Sequence, residues 1–476
     1  MTNATTTDRP LDWGTSPVMS PSDALMWRGD DDRRFRAHVC GLELLDCVPD
    51  WDRFVAAHDW ATRMVPRLRQ RVVDSPLGTG VPTWAVDAEF DLHYHVRRVR
   101  VPGAGSWSDL LAAAESIAMT PLDRARAPWE VVLFEGLPDG KAAYLAKVHH
   151  AMTDGMSAML GASMLRSRHR DADPGKPQPP APEPQQVGLL SVLANQISAS
   201  ARRVPTALGA VGDGLTSLAR PAEALRRGVE YARSLPRVAG LASPEGSPLL
   251  QQRSLRWRLL TVDVAFADLR AAAKAADASV NDAYLAGLVG AMRHYHERLG
   301  QPVEVMPFAV PISLRDAGDT SAGNKITVGR VAAPIALADP AERMLAIKEQ
   351  VRLARREPAA GMFDVAGPLL AWLPSCALGV VSTTATVNDV QASNVPGLRH
   401  DTYMAGAKVE RSYPFGPLPG CAVMATMLTH GDTCCLGVNF DAASITEPEI
   451  FAECIVDGFA EVLSLVPGAQ RPYRRV

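Results

Sequence analysis

Along the chain, apolar positions recur with two periods, and the stretches where they lapse divide it into three parts. From Ser20, the order Ser-Pro-Ser-Asp followed by Ala24, Leu25 and Met26 reads as a capped helix with proline in its first turn. Residues 37–45 read as a strand and 51–65 as a helix. Residues 131–135 and 144–150, separated by the Leu-Pro-Asp-Gly turn at 137–140, read as a hairpin. Over 171–186 large apolar side chains disappear among Pro, Asp and Gln, which is linker composition. Residues 187–240 regain helical spacing and carry arginines at 202, 203, 220, 226, 227, 233 and 237 against three acidic residues. Two readings of that stretch stand: a helical connector with solvated arginines, or an amphipathic segment on an anionic lipid surface. The mixed pattern then resumes, with strands expected over 256–264, 303–310 and 326–333 and helices over 267–276, 280–299 and 340–355. Further strands run to Asp441, and a last helix is expected near 447–465. The fold class expected is α/β with mixed sheets. Two domains, 1–168 and 255–476, are joined by a Pro-rich linker and basic helical connector over 169–254.

Composition narrows the function classes. With 476 residues, 47% hydrophobic and 21% charged, the chain can bury two substantial cores. A net charge of −3 argues against a nucleic-acid partner. The seven cysteines (40, 47, 376, 421, 434, 435 and 454) follow no metal or redox spacing, as expected of reduced thiols in a cytoplasmic protein. The first residues lack the basic and apolar regions of a signal peptide. The most apolar run, 359–381, contains Asp364 and is broken by Pro368 and Pro374, so it falls short of a membrane span. Core or tunnel wall is the expectation for it, with membrane-dipping helices as the sharper alternative.

Candidate chemistry concentrates in His149-His150-Ala151-Met152-Thr153-Asp154-Gly155, where the expected strand gives way to a helix. Adjacent strand side chains face opposite ways, so His149 and His150 cannot both address one reacting atom. A neutral imidazole can take the proton from a hydroxyl or amine as it attacks a carbonyl. Asp154 suits a helix start, where free N–H groups favour a carboxylate, or an ion pair with a buried arginine, for which Arg315 and Arg28 are candidates. Gly155 allows a close backbone approach or a positive φ. A metal set is disfavoured, since no Glu-x-x-His or Cys-x-x-Cys companion occurs. No Gly-x-Ser-x-Gly elbow argues for a serine nucleophile.

The His-His-x-x-x-Asp-Gly order is similar to that of a superfamily of acyltransferases, and condensation domains of peptide synthetases share it. Further segments narrow the resemblance: Ser20-Pro21-Ser22-Asp23-Ala24, Pro121-Leu122-Asp123-Arg124, Pro128-Trp129-Glu130, Val280-Asn281-Asp282, Val310-Pro311-Ile312-Ser313-Leu314-Arg315, Gly323-Asn324, and Ser393-Asn394-Val395-Pro396-Gly397. In this order they resemble the bacterial wax ester synthase/diacylglycerol acyltransferase family. The resemblance implies two chloramphenicol-acetyltransferase-like domains with a tunnel between them. It implies transfer of a fatty acyl group from coenzyme A to diacylglycerol or a long-chain alcohol. His150 would be the general base of a direct transfer, His149 a support for its loop, and Asp154 and Gly155 the shape of that loop. Asn281 would stabilise the oxyanion or merely cap its helix, and Asp282, Ser393 and Asn394 would line the substrate tunnel. Acyl-coenzyme A enters as co-substrate with no resident cofactor, and contact with a membrane face or lipid droplet is the further expectation. Two departures, Ala127-Pro128-Trp129 for Pro-Leu-Trp and Leu428-Thr429-His430-Gly431 for Ser-Tyr-x-Gly, bear on the acceptor channel. A carrier-protein-dependent condensation enzyme and a non-catalytic lipid-binding protein of the same fold are the alternatives.

Overall fold

The computed structural model describes residues 16–74, 80–152, 165–171, 178–185, 244–313, 326–357 and 388–475, together with isolated connector positions. Most of the basic connector, the apolar run at 359–381, Asp154, Gly155, Gly323, Asn324 and Arg315 lie outside the described residues.

The first half contributes four strands to a six-stranded sheet. Helix α1 (Pro21–Gly29) starts as its sequence predicts, with Ser20 Oγ accepting the Asp23 N–H at 3.0 Å. It is followed by β1 (His38–Leu45), α2 (Trp51–Met64), a small ribbon of β2 (Gln70–Val73) and β3 (Thr83–Val86), a single helical turn α3 (Leu92–His95), β4 (Val96–Arg100) and α4 (Trp107–Met119). The hairpin of β5 (Trp129–Glu135) and β6 (Ala142–His149) completes the half. The expected strand to residue 150 is one residue too long: β6 ends at His149, and His150 opens a 3-10 turn over His150–Met152.

The second half builds a seven-stranded sheet from β7 (Trp257–Ala265), β8 (Val305–Ser313), β9 (Ile326–Pro334), β10 (Val390–Val395), β13 (Val423–His430), β14 (Thr433–Asp441) and β15 (Tyr473–Arg474). Helices α5 (Phe266–Ala275), α6 (Val280–Arg298), α7 (Pro340–Arg355) and α8 (Pro448–Leu463) accompany it, and one apolar cluster runs through sheet and helices together. The strand expected over 303–310 instead continues through Pro311 to Ser313. The parallel pairing of β8 with β10 covers Phe308 and Ala309, so Pro311 lies past it and its missing N–H breaks no bond there.

The two halves share a sheet. Strands β11 (Tyr403–Met404) and β12 (Ala407–Phe415) come from the second half in sequence yet complete the first sheet, whose order is β11-β12-β1-β6-β5-β4. Hydropathy does not announce such a crossing, and the expected boundary at 255 does not contain it. Leu42, Leu44, Val132, Phe134 and Leu145 pack in one cluster with Leu259, Phe415 and Cys435. Backbones close to contact where β12 meets β14: a Cβ on Gly437 would lie 2.0 Å from the Pro414 carbonyl oxygen. Polar bonds reinforce the seam. Trp107 Nε1 donates to Thr261 Oγ1 at 2.9 Å, and the Leu259 N–H donates to Glu115 Oε1 at 2.9 Å. Asp263 accepts from Arg411 Nε at 2.7 Å and from the buried Tyr413 hydroxyl at 2.6 Å.

Asp263→Ala leaves the Tyr413 hydroxyl and the Arg411 guanidinium without their shared acceptor. It should destabilise the protein by roughly 3 kcal/mol, read as a fall in the urea midpoint.

Candidate active site

The site starts from the pairing of β1 with β6, which places His38 directly opposite His149. Both imidazoles are buried, at 1% exposure each. The two rings meet edge-on with centroids 5.8 Å apart, and the Trp27 indole from α1 meets His149 at 5.0 Å. Asp30, the residue that closes α1, turns its carboxylate between them: Oδ2 lies 3.2 Å from His38 Nε2 and 3.2 Å from His149 Nε2. Its other oxygen accepts the Ala37 N–H at 2.8 Å. Burial alone would raise the Asp30 pKa, but the contacts with His149 and His38 outweigh it and hold the carboxyl well below the usual carboxylate range. Burial pulls His38 down, so at neutral pH it shares Asp30 as a neutral ring.

His149 meets a neighbour at each ring nitrogen, through a hydrogen bond at Nδ1 and at ion-pair distance alone at Nε2. Its Nδ1 accepts the Ala151 N–H at 3.0 Å, which in a neutral ring puts the proton on Nε2, toward Asp30. His150, half-buried, leaves the strand at this point, and its own N–H donates to the Ala37 carbonyl at 2.7 Å.

Other motif residues act as supports. Arg124, from the Pro-Leu-Asp-Arg segment, lies over the Trp27 ring at 4.4 Å and pairs with Asp31 at 2.7 Å. The Trp27 indole N–H donates to Asp74 Oδ1 at 3.0 Å. Glu130 receives the buried Lys147 ammonium at 3.1 Å, and Lys147 also donates to the Ile117 and Thr120 carbonyls at the end of α4. Burial brings Lys147 down to about 8. Trp129 is core: its indole N–H donates to the Leu68 carbonyl at 2.7 Å, and its ring stacks on His95. Arg28 is buried and donates to the Gly80 carbonyl, while Asp154 and Arg315 lie outside the described residues.

A second group forms in the other sheet. Asn281 does not cap α6. The cap is Ser279, whose Oγ accepts the Asp282 N–H at 3.2 Å while Asp282 Oδ2 accepts from Ser279 N and Oγ at 2.9 and 2.7 Å. Asp282 is therefore a capping residue, buried at 5% exposure. Asn281, one position earlier, accepts at Oδ1 from Asn394 Nδ2 at 3.4 Å, so the Asn-Asp and Ser-Asn-Val-Pro-Gly segments do meet. Ser393 sits beside Thr426 in the parallel β10–β13 ladder, half-buried. After Val395 the chain passes so close to β13 that a Cβ on Gly397 would lie 1.9 Å from the Thr429 carbonyl oxygen.

A cavity of about 560 Å³ between α4 and strands β4 and β5 is walled by Val99, Ile117, Val132 and Phe134 and includes none of these site residues. Among the described residues no group of three or more His, Cys, Asp or Glu is arranged to hold a metal ion. No described helix is long and apolar enough to cross a membrane. Sequence reasoning missed Asp30, His38 and Trp27. The only local signals were the Asp30-Asp31-Asp32 run after a helix and a histidine at a strand start.

Two mixed sheets are thus joined by an exchanged strand, with a histidine pair where a central strand ends. The chain matches the wax ester synthase/diacylglycerol acyltransferase catalytic domain over residues 19–284 and the C-terminal domain of the same family over 322–462. A Mycobacterium tuberculosis protein named as a diacylglycerol O-acyltransferase is 43% identical over 468 residues, covering 96% of this chain and 94% of the relative. Another from the same organism, similarly named, is 28% identical over 451 residues, covering 89% and 92%. Among solved structures, the wax ester synthase/diacylglycerol acyltransferase of Marinobacter aquaeolei VT8 superposes with a TM-score of 0.63 at 24% identity, over 94% of this chain and 100% of that one. The starter condensation domain of rhizomide synthetase, solved with C8-CoA, superposes at 0.59 with 15% identity, over 96% of each chain. The protein belongs to the wax ester synthase/diacylglycerol acyltransferase family and is an acyltransferase.

The buried histidines also set an acid response. His58 on α2 is 2% exposed, holds the Phe54 carbonyl at 2.7 Å through Nδ1, and is pulled by burial to about 4. The unfolded chain, with histidine near ~6.5, takes up a proton that the folded state refuses as pH falls from 6.5 to 4. Stability should fall across that window by roughly 3 kcal/mol from His58 alone. Asp30, also held below its unfolded value, works in the same sense but at lower pH: its stabilisation is present above the unfolded carboxyl value, ~3.9, and is lost only below it. Urea titrations across pH 4–7 should show a shallower slope in His58→Leu than in the wild type.

Proposed function

We propose that the protein moves a long-chain fatty acyl group from coenzyme A to the hydroxyl of diacylglycerol or a long-chain alcohol, with His150 as the general base. The observation that carries this reading is the state of His149. Its one acceptor nitrogen is taken by the Ala151 N–H and its other nitrogen faces Asp30, so it has no lone pair to offer a substrate. That leaves His150 as the histidine of the motif suited to proton transfer.

His150 removes the acceptor hydroxyl proton as the oxygen bonds to the thioester carbonyl carbon. The tetrahedral intermediate collapses, the C–S bond breaks, and the thiolate takes the proton back from the imidazolium. Ester and free coenzyme A leave. No acyl-enzyme is needed, and the six described cysteines argue against one: all are unpaired as disulfides, five are buried, and burial raises their thiols. Asn281 at the start of α6 and Asn394 on β10, in contact with each other, are a source of amide donors for the oxyanion. Asp154 and Gly155 would shape the loop beyond His150. The relatives named for diacylglycerol O-acyltransferase activity support the acceptor class. Contact with a membrane face or lipid droplet would bring the enzyme to its acceptor, through the arginines of the connector.

Purified protein given palmitoyl-coenzyme A should release free thiol only when diacylglycerol or hexadecanol is present. His150→Ala, matched for folding by circular dichroism, should lose about 10²–10⁴-fold in rate. Equal release by the mutant overturns the assignment of the base.

A further inference from the structure

The backbone around His150 is held at two points, and both trace to one carboxylate. The first is the His150 N–H itself, which donates to the Ala37 carbonyl at 2.7 Å. Ala37 is in turn fixed by its own N–H, which donates to Asp30 Oδ1 at 2.8 Å. The second is the next peptide: the Ala151 N–H donates to His149 Nδ1 at 3.0 Å, and His149 Nε2 stands 3.2 Å from Asp30 Oδ2. Asp30 is 14% exposed in its side chain, and the two imidazoles it touches are buried. The arrangement is closed from above by Trp27, edge-on to His149, and Arg124 lies over Trp27.

We propose that Asp30 is the positioning residue of the acyl transfer: it sets the His149 tautomer and, through His149 and Ala37, fixes the turn that presents His150. The proposal rests on the reading of His150 as base. The chemistry follows from ring tautomers. With an anion at Nε2, His149 keeps its proton there and its Nδ1 lone pair free for Ala151. An amide in place of the carboxylate turns a donor or a weaker acceptor toward His149. The other tautomer then becomes accessible, and with a proton on Nδ1 the ring repels the Ala151 N–H instead of accepting it. The turn loses one hold, and Ala37 loses a charged acceptor for the other. The charged and titratable groups facing this carboxylate are His38 from β1, His149 and Lys147 from β6, with Arg36 and Cys40 nearby around Lys147. None of them can replace an anion at the His149 Nε2 position.

Asp30→Asn and Asp30→Glu test this in the full chain. With palmitoyl-coenzyme A and diacylglycerol, Asp30→Asn should lower kcat about 10–100-fold while KM for the thioester stays within twofold. Misplacement of a base by less than an ångström has that effect on turnover without touching binding. Asp30→Glu, which keeps the charge, should recover part of the loss and covers the case in which the asparagine variant folds poorly. Histidine-selective ¹⁵N labelling, with His149 assigned by its loss in His149→Gln, gives a readout independent of activity. The wild type should show the Nε2–H tautomer, and Asp30→Asn should shift it toward Nδ1–H. A folded Asp30→Asn protein with wild-type kcat, or with the His149 tautomer unchanged, overturns the proposal. If His150→Ala retains activity while the tautomer still depends on Asp30, it is the assignment of the base that fails, and the control of His149 by Asp30 stands.

Discussion

Because β12 leaves its sequence neighbours to pair with β1 in the other sheet, the two halves cannot part without breaking a ladder of backbone hydrogen bonds. The pairing runs from Cys40 opposite Phe415 to Leu45 opposite Val409. Strand β1 therefore has a partner from each half, β12 on one side and β6 on the other. Its register against β6 sets His38 opposite His149. A contact made with β1 by residues more than 350 positions further along the chain thus helps to fix the strand against which the motif histidines are registered.

The face of β6 that carries Lys147 and His149 shows why that register has no slack. Lys147 is fully buried, and such a charge is tolerated only when paired and hydrogen-bonded, here by Glu130 and the carbonyls at the end of α4. His149, two residues on, lies on the same face with its Nε2 3.2 Å from Asp30 Oδ2. A slip of one residue would drive Lys147 into the apolar face occupied by Tyr144, Val131 and Leu133 and move both polar side chains from their partners.

The family's short motifs divide by function on this scaffold. Arg124 and Glu130 brace α1, α4 and β6. Ser279 and Asp282 begin α6 with a reciprocal cap, which leaves Asn281 to reach Asn394. Among the described residues, much of what reads as a catalytic signature fixes backbone ends.

Sequence alone determined the elements and the family. The capped start of α1, the β5–β6 hairpin, α6 and α7 follow from periodicity and caps, since these depend on residues within a few positions of one another. The motif histidines were legible for the same reason, being adjacent. What only tertiary structure decided is which groups meet. The exchange of β12, the Asp263 junction, the Asn281–Asn394 contact and the sharing of Asp30 between His38 and His149 join residues distant in sequence, whose pairing no local spacing encodes. The roles of His149 and Asp282 turned on the same point. A side chain's task is set by the partner its donor or acceptor finds, and that partner is supplied by the fold.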